Sequence, residues 1–225
     1  MKNLSVLLCV FVLTLGIVSG AHALAVSFEV TGTVTEIDDP DGNLLASIDV
    51  GDAMHVSFSY NTTEEPFMED PPHSTTYGIY EPFSVSVAET YNLTKNGFNV
   101  RVRNDYGDPP WDSLSVITAI NKDTYPSWPD WVGPDVWMIS YNINLNDWDD
   151  TAFNDTSLPE SLNLADFTAL ARIMIYGYNS DNDQIMKIRG EIDSITSTPV
   201  PEPATVLLLG TGLVGLVGFR KKLKK

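Results

Sequence analysis

The alternation of apolar and polar residues along the chain is the feature that most constrains its fold. Residues 26–37 read V-S-F-E-V-T-G-T-V-T-E-I, which places the even-numbered apolar residues on one face of an extended strand. Similar segments, bounded by Gly, Pro, Asn and Asp, recur to the end of the body. The predicted strands are Val26–Ile37, Leu44–Val50, Ala53–Tyr60, Thr75–Tyr80, Phe83–Glu89, Gly97–Arg103, Leu114–Ile120, Val136–Leu145, Ala171–Tyr178 and Gln184–Thr196.

These segments predict an all-β domain over residues 24–198. Only Ser161–Ala171 has a composition that suits a helix, and its apolar spacing fits a single turn or an irregular loop equally well. About ten short antiparallel strands favour a two-sheet sandwich of jelly-roll type. We therefore expect one sandwich domain with a sizeable core.

Residues 1–23 have the pattern of a secretory signal peptide. Lys2 precedes a run of 15 almost wholly apolar residues, and the small residues Ala21 and Ala23 frame a cleavage site. The run is shorter than the roughly 20 residues that span a bilayer, which argues against a retained anchor. We expect a signal helix that is cleaved after Ala23. Cys9, the single cysteine, is then lost with it.

Residues 199–225 have three parts. The sequence Pro201-Glu202-Pro203 is followed by 16 uncharged residues, 204–219, and then by a basic tail that begins with Arg220, Lys221 and Lys222. As a helix, the apolar part would be roughly 24 Å long, against a hydrocarbon core of about 30 Å. We expect a marginally spanning transmembrane helix whose basic end lies in the cytoplasm.

This C-terminal arrangement resembles the PEP-CTERM sorting signal of Gram-negative bacteria. The resemblance implies one partner, an exosortase, which is a membrane-embedded enzyme that removes the helix as the protein moves to the outer surface. It also implies a host that makes exopolysaccharide. The expected location is transiently the inner membrane, through the C-terminal helix, and then the outer surface or the extracellular matrix. In the body, Gly32-Thr33-Val34 and the turn Val50-Gly51-Asp52 resemble segments of other PEP-CTERM proteins.

The charge of the body restricts its partners. Residues 24–200 contain 29 acidic and 7 basic residues, a net charge of −22 with neutral histidine. Nucleic acid is excluded as a partner because its affinity comes mainly from neutralised phosphates. Anionic membrane surfaces are excluded for the same reason. The charge favours solubility outside the cell and divalent cations as ligands.

The sequence offers no catalytic residues. The body has no cysteine, its two histidines are His55 and His73, and no nucleophile elbow, zinc-protease pair or phosphate-binding glycine loop is present. We therefore expect a protein that is not an enzyme. A hydrolase with two unidentified carboxylates remains the alternative, because acids that lie about 5 to 9 Å apart need not be near in sequence.

Calcium is the one cofactor that the sequence favours, because the clustered donors are all oxygens. The richest cluster contains Asp147, Asp149, Asp150, Asn154 and Asp155. Two smaller clusters lie at 38–43 and 181–183. None matches the twelve-residue calcium loop. Solvated β-turns are the alternative, since Asp and Asn favour turns.

Loop aromatics are the candidate ligand-binding residues. Trp111 follows Asp108-Pro109-Pro110, and Tyr125, Trp128 and Trp131 lie in a stretch broken by Pro and Gly. Indoles held by stiff loops suit stacking on sugar rings, although they would equally well close one end of the sandwich. The sequence therefore predicts a non-catalytic surface or matrix protein that binds exopolysaccharide. The hydrolase and a passive structural or adhesion protein of the matrix are the alternatives.

Overall fold

A computed structural model describes residues 25–200 apart from 46, 89–90 and 127. The described part contains nine strands and one 3₁₀ turn, Leu164–Asp166. The strands are β1 (Ala25–Asp38), β2 (Ala53–Asn61), β3 (Pro66–Asp70), β4 (Ser74–Val87), β5 (Tyr91–Tyr106), β6 (Trp111–Asn121), β7 (Met138–Asp147), β8 (Leu170–Tyr178) and β9 (Gln184–Val200). The predicted signal helix of residues 1–23 and the predicted C-terminal helix of residues 204–219 lie outside the described residues.

The strands form one antiparallel sheet that closes on itself. From β4 to β9 each strand pairs with the next along the chain, β9 pairs with β1, and β1 pairs with β2. The pairing of β2 with β4, from Met54 opposite Val87 to Phe58 opposite Phe83, completes a ring of eight strands. Strand β3 adds to the free part of the β4 edge. The all-β class is confirmed, but the fold is a closed barrel and not the expected two-sheet sandwich.

The alternation of residues explains why each strand has one buried face. In β7 the residues Ile139, Tyr141, Ile143 and Leu145 are buried, and the residues between them are partly exposed. Such a pattern specifies which face packs inward. It does not specify whether that face meets a second sheet or the far side of the same sheet, which depends on which strands pair.

Aromatic side chains fill the interior of the barrel. Phe28 stacks on Phe58 at a centroid distance of 5.0 Å, and Phe83 lies 5.9 Å from Phe98. The hydroxyl of Tyr91 donates a hydrogen bond to that of Tyr141 at 2.5 Å. An eight-stranded barrel is just wide enough to be filled by side chains, so ligand sites are expected on its rims or outer wall.

Gly32 marks a position where two strands approach closely. A register shift between β1 and β9 falls between Thr31 and Gly32. A Cβ atom at Gly32 would overlap the carbonyl oxygen of Glu191. The close approach therefore requires glycine at this position.

The two ends of the barrel differ in their loops. The upper end carries the connections that follow β1, β4, β6 and β8. The lower end carries the connection 62–73, the turn 107–110 and the 22-residue loop 148–169. The pairing of Ala25 with Val200 places both ends of the described chain at the lower end.

The long loop closes the lower mouth of the barrel. The hydroxyl of Tyr60 donates to the carbonyl oxygen of Pro159 at 2.8 Å, and that of Tyr77 donates to the carbonyl oxygen of Thr156 at 2.9 Å. Leu158 and Leu162 from the same loop are buried in the core. No helix of the described part is long and apolar enough to cross a membrane.

Several predicted strand limits were wrong. The segment Leu44–Val50 is a loop with one isolated bridge from Leu44 to Val132. Where two strands, Thr75–Tyr80 and Phe83–Glu89, were predicted, the structure has a single strand, β4, which ends at Val87. Strand β3 was not predicted because all five of its residues are exposed and show no alternation. In Ser161–Ala171, for which a helix, a single turn and an irregular loop were left open, one 3₁₀ turn forms.

Candidate functional site

Three of the four predicted ligand-binding aromatics lie at the upper end of the barrel. Trp131 is 7% exposed, and its ring packs on Tyr91 at a centroid distance of 4.1 Å. Tyr125 and Trp128 are half-buried against the core. The amide of Leu45 donates to the carbonyl oxygen of Trp131 at 2.7 Å, which joins two upper loops. These residues cover the upper end of the core, so their rings offer little free surface for a sugar.

Trp111 lies at the opposite, lower end, where β6 begins. Its ring meets the ring of Tyr106 edge to face at 5.7 Å. The guanidinium of Arg103 lies over both rings, 4.9 Å from the centre of Tyr106 and 5.6 Å from that of Trp111. A cation held over two aromatic rings fixes their orientation. Trp111 is therefore a half-buried indole in a braced position at the lower rim.

A second indole, Trp148, shares this rim and was missed in the sequence. Its side chain is 72% exposed. Asp112 and Asp147 are paired residues of β6 and β7, and Trp111 and Trp148 each lie one residue beyond that pair. Trp111 and Trp148 therefore lie at the lower ends of the neighbouring strands β6 and β7, at the same rim. Trp148 lies in the acidic segment 146–150. In the sequence, only the end of the alternating pattern of β7 indicated that this residue would be exposed.

Two buried carboxylates hold the loops of this rim. Asp112 and Asp147 are both fully buried. Asp112 accepts hydrogen bonds from the amides of Asp105 and Phe153 at 3.1 and 2.8 Å. One of these donors belongs to β5 and the other to the loop 148–169. Asp112 therefore joins the β5–β6 region to the long loop.

Asp147 accepts more hydrogen bonds than Asp112 does. Its carboxylate accepts from the amides of Asp149 and Thr151 at 3.1 and 2.9 Å, and from the hydroxyls of Thr151 and Thr168, each at 3.1 Å. Burial by itself would raise the pKa of Asp147, but these donors outweigh it and lower the pKa below its ordinary value. The charged carboxylate fixes both ends of the loop that presents Trp148.

The predicted calcium ligands do not converge on one point. Asp155 accepts from the amide of Ser157 at 2.8 Å and from its hydroxyl, and these bonds lower its pKa. Asp150 faces Asp105, whereas Asp147 turns to the loop amides and Asn154 is exposed. In the described residues, no three Asp, Glu, His or Cys side chains are grouped to hold a metal ion. The carboxylates of Asp147 and Asp149 share one donor, the hydroxyl of Thr168.

The carboxyl groups of Asp105 and Asp150 lie close together at the same rim. The pKa of Asp105 is raised, mainly through its hydrogen bond to the Asp150 carboxylate and through repulsion from it. One oxygen of Asp150 is buried without a donor in the described part, and a proton on Asp105 would satisfy it. Carboxyls in direct contact are too close to flank a glycosidic bond, which needs about 5 to 9 Å between them.

The histidines lie away from this rim or at its edge. His55 lies on the outer face of β2, 2.5 Å from the Glu29 carboxylate, and both side chains are about half exposed. His73 is exposed, with Nδ1 3.4 Å from the carbonyl oxygen of Asn104. His55 is therefore a solvent-side strand residue.

Comparison with known proteins identifies the C-terminal segment. The family described as the PEP-CTERM protein-sorting motif matches residues 199–222. The chain is thus an exported protein that carries a PEP-CTERM sorting signal, which directs it to exosortase processing and toward the cell surface. The match begins at Pro199, within the last strand of the barrel. No curated protein and no solved structure matches the chain.

Proposed function

We propose that this protein is a non-catalytic glycan-binding protein of the outer surface or of the extracellular polysaccharide matrix. It reaches that location after removal of the signal peptide, residues 1–23, and after exosortase cleavage near Pro201. The C-terminal helix holds it in the inner membrane only until that cleavage. The barrel is the part that remains outside the cell.

The observation that carries this proposal is the exposed indole of Trp148 beside the braced indole of Trp111. A large aromatic side chain that is 72% exposed on a loop fixed by four hydrogen bonds is available for a ligand. Flat indole faces at a rim suit stacking on the apolar face of a sugar ring. Polar groups beside them suit the hydroxyls.

Calorimetric titration with the exopolysaccharide of the host tests the binding role. We expect the wild-type chain to bind, and Trp148→Ala to weaken binding about tenfold, which corresponds to about 1.4 kcal/mol. Tyr80→Ala is the matched control, because Tyr80 is an 89% exposed aromatic residue on β4, outside this rim. Its affinity should equal that of the wild type.

The same titration, with an assay of reducing ends on the titrated mixture, separates the alternatives. Release of reducing ends from the exopolysaccharide would identify a hydrolase and overturn the non-catalytic role. No heat with any fraction of the exopolysaccharide would leave a passive matrix protein. Equal losses in Trp148→Ala and Tyr80→Ala would show binding that does not depend on the lower rim.

A further inference from the structure

Strand β6 forms the floor of a shallow furrow on the outer wall of the barrel. Ser113 and Ser115 point away from the interior, yet they are only 1% and 7% exposed. Their partners on β5 and β7 are arginines and asparagines, whose longer side chains cover the two serines. We call this surface the β6 furrow; its residues are Arg101, Arg103, Ser113, Ser115, Asn144 and Asn146.

The two sides of the furrow carry different chemistry. Arg101 and Arg103 are two residues apart on β5, so their Cα atoms are about 7 Å apart along the furrow. Asn144 and Asn146 lie on the opposite side, and the hydroxyl of Ser115 donates to Asn144 Oδ1 at 3.1 Å. Trp111 stands on the floor strand at the lower end. Arg101 Nε donates to Thr76 Oγ1 of β4 at 3.1 Å, and the guanidinium of Arg103 lies over Tyr106 and Trp111. One side therefore carries two guanidinium groups with further N–H donors, and the other side carries amides.

The arginines of the furrow lack counter-charges, although the chain is strongly acidic. Lys187 and Arg189 on β9 pair with Glu36 at 2.6 and 2.7 Å. By contrast, no carboxylate in the described part of the chain lies within ion-pair distance of Arg101 or Arg103. In a body with 29 acidic residues against 7 basic ones, two such arginines on one strand face are a local excess of positive charge.

Polar atoms of the furrow are also buried without partners. Arg103 Nε and Ser113 Oγ, which belong to paired residues of β5 and β6, have no hydrogen-bond partner within the described part. Burial and the charge of Arg101 lower the pKa of Arg103. Burying such groups without a partner costs free energy.

The ligand that fits is a sugar chain that bears carboxylates. A guanidinium group binds a carboxylate with two parallel hydrogen bonds, amides and hydroxyls bind sugar hydroxyls, and an indole stacks on a sugar ring. Nucleic acid has one charge per about 1.7 Å and would be repelled by the acidic body. For a more sparsely charged chain, carboxylates more than about 8 Å away are largely screened at physiological salt.

We propose that the β6 furrow binds a carboxylated polysaccharide of the uronic-acid class, with Arg101 and Arg103 on its carboxylates and Trp111 against a sugar ring. The inference rests on the proposed glycan-binding function and narrows the ligand class. It also extends the site from the lower rim onto the outer wall.

Calorimetry on the full-length chain in mild detergent tests this, with oligogalacturonate as the probe and its methyl ester as the uncharged counterpart. We expect oligogalacturonate to bind and its methyl ester to bind at least tenfold more weakly. Arg101→Gln should weaken oligogalacturonate binding about tenfold, since hydrogen bonds to charged groups contribute about 1.5–3 kcal/mol. Lys122→Gln, which removes the same charge from an exposed residue at the upper end, should bind like the wild type.

If Arg101→Gln does not fold, Arg101→Lys replaces it in the test. Arg101→Lys keeps the positive charge and loses the planar guanidinium group, so its affinity for oligogalacturonate should be intermediate. If the methyl ester binds as tightly as oligogalacturonate, or if Lys122→Gln loses as much affinity as Arg101→Gln, the proposed role of the furrow would be wrong. Equal binding of poly-glutamate would also overturn it, because charge alone would then suffice. Neutral glycan binding that depends on Trp148 but not on Arg101 would leave the proposed function standing without the furrow. No binding of any glycan would remove both.

Discussion

Replacing Asp147 with alanine tests whether this buried carboxylate holds the lower rim together. The substitution removes the acceptor of four hydrogen bonds, two from backbone amides and two from threonine hydroxyls. The hydroxyls can turn to other acceptors, so the two amides set the magnitude. Asp149 and Thr151 are exposed, and water replaces part of what they lose. At about 1.5 kcal/mol for each bond to a charged group, the free energy of unfolding should fall by about 3 kcal/mol.

Urea-induced unfolding followed by circular dichroism measures this change in the purified chain at pH 7. Asp149→Ala is the matched control, because Asp149 is an exposed neighbour whose carboxylate accepts one long bond, 3.4 Å from Thr168. Its stability should stay within about 0.5 kcal/mol of the wild type. A loss below 1 kcal/mol in Asp147→Ala, or equal losses in both variants, would refute the reasoning.

Three further predictions follow from the described contacts. Because the folded-state pKa of Asp147 is lowered, the carboxylate stabilises the fold fully above the unfolded-state pKa of about 3.9. This stabilisation is lost as pH falls through the folded-state pKa. The difference in the free energy of unfolding between wild type and Asp147→Asn should therefore shrink in acid. The raised pKa of Asp105 means that its pair with Asp150 weakens the fold as pH rises through that value, so Asp150→Asn should raise the melting temperature at pH 7 relative to the wild type and not at pH 3. Gly32→Ala should lower the free energy of unfolding by about 1–3 kcal/mol because its Cβ meets the backbone of Glu191, whereas Gly78→Ala, with its nearest contacts at 3.9 Å, should be neutral in the same denaturation assay.

The strands of the barrel could be predicted where one face is buried, and β7 and β8 show why. Their alternating residues gave limits within a few residues of the observed ones. The segment Leu44–Val50 was misread because Ile48 is buried and Leu44 is half-buried, as in a strand, although they belong to a loop that packs on Val132. Closure depends on β2 pairing with β4, which no local pattern encodes.

The candidate site was harder to predict because it depends on register. The sequence shows Arg101 and Arg103 on one face of a strand, but the serines and asparagines beside them come from the pairing of β5, β6 and β7. In the sequence, Trp111 and the aromatic residues of 125–131 cannot be told apart, because all of them lie in segments broken by Pro or Gly. Only the fold places the first group over the upper end of the core and Trp111 at the same lower rim as the exposed Trp148.

The sorting route is the central claim, and the intact mass and cell fraction of the native protein, with and without the host exosortase, test it most directly. With the exosortase, we expect a product that lacks residues 1–23 and the C-terminal helix beyond Pro201, located outside the cell. Without it, the helix should remain and the protein should stay in the inner membrane. A product that keeps its helix in the inner membrane in both strains would contradict the account.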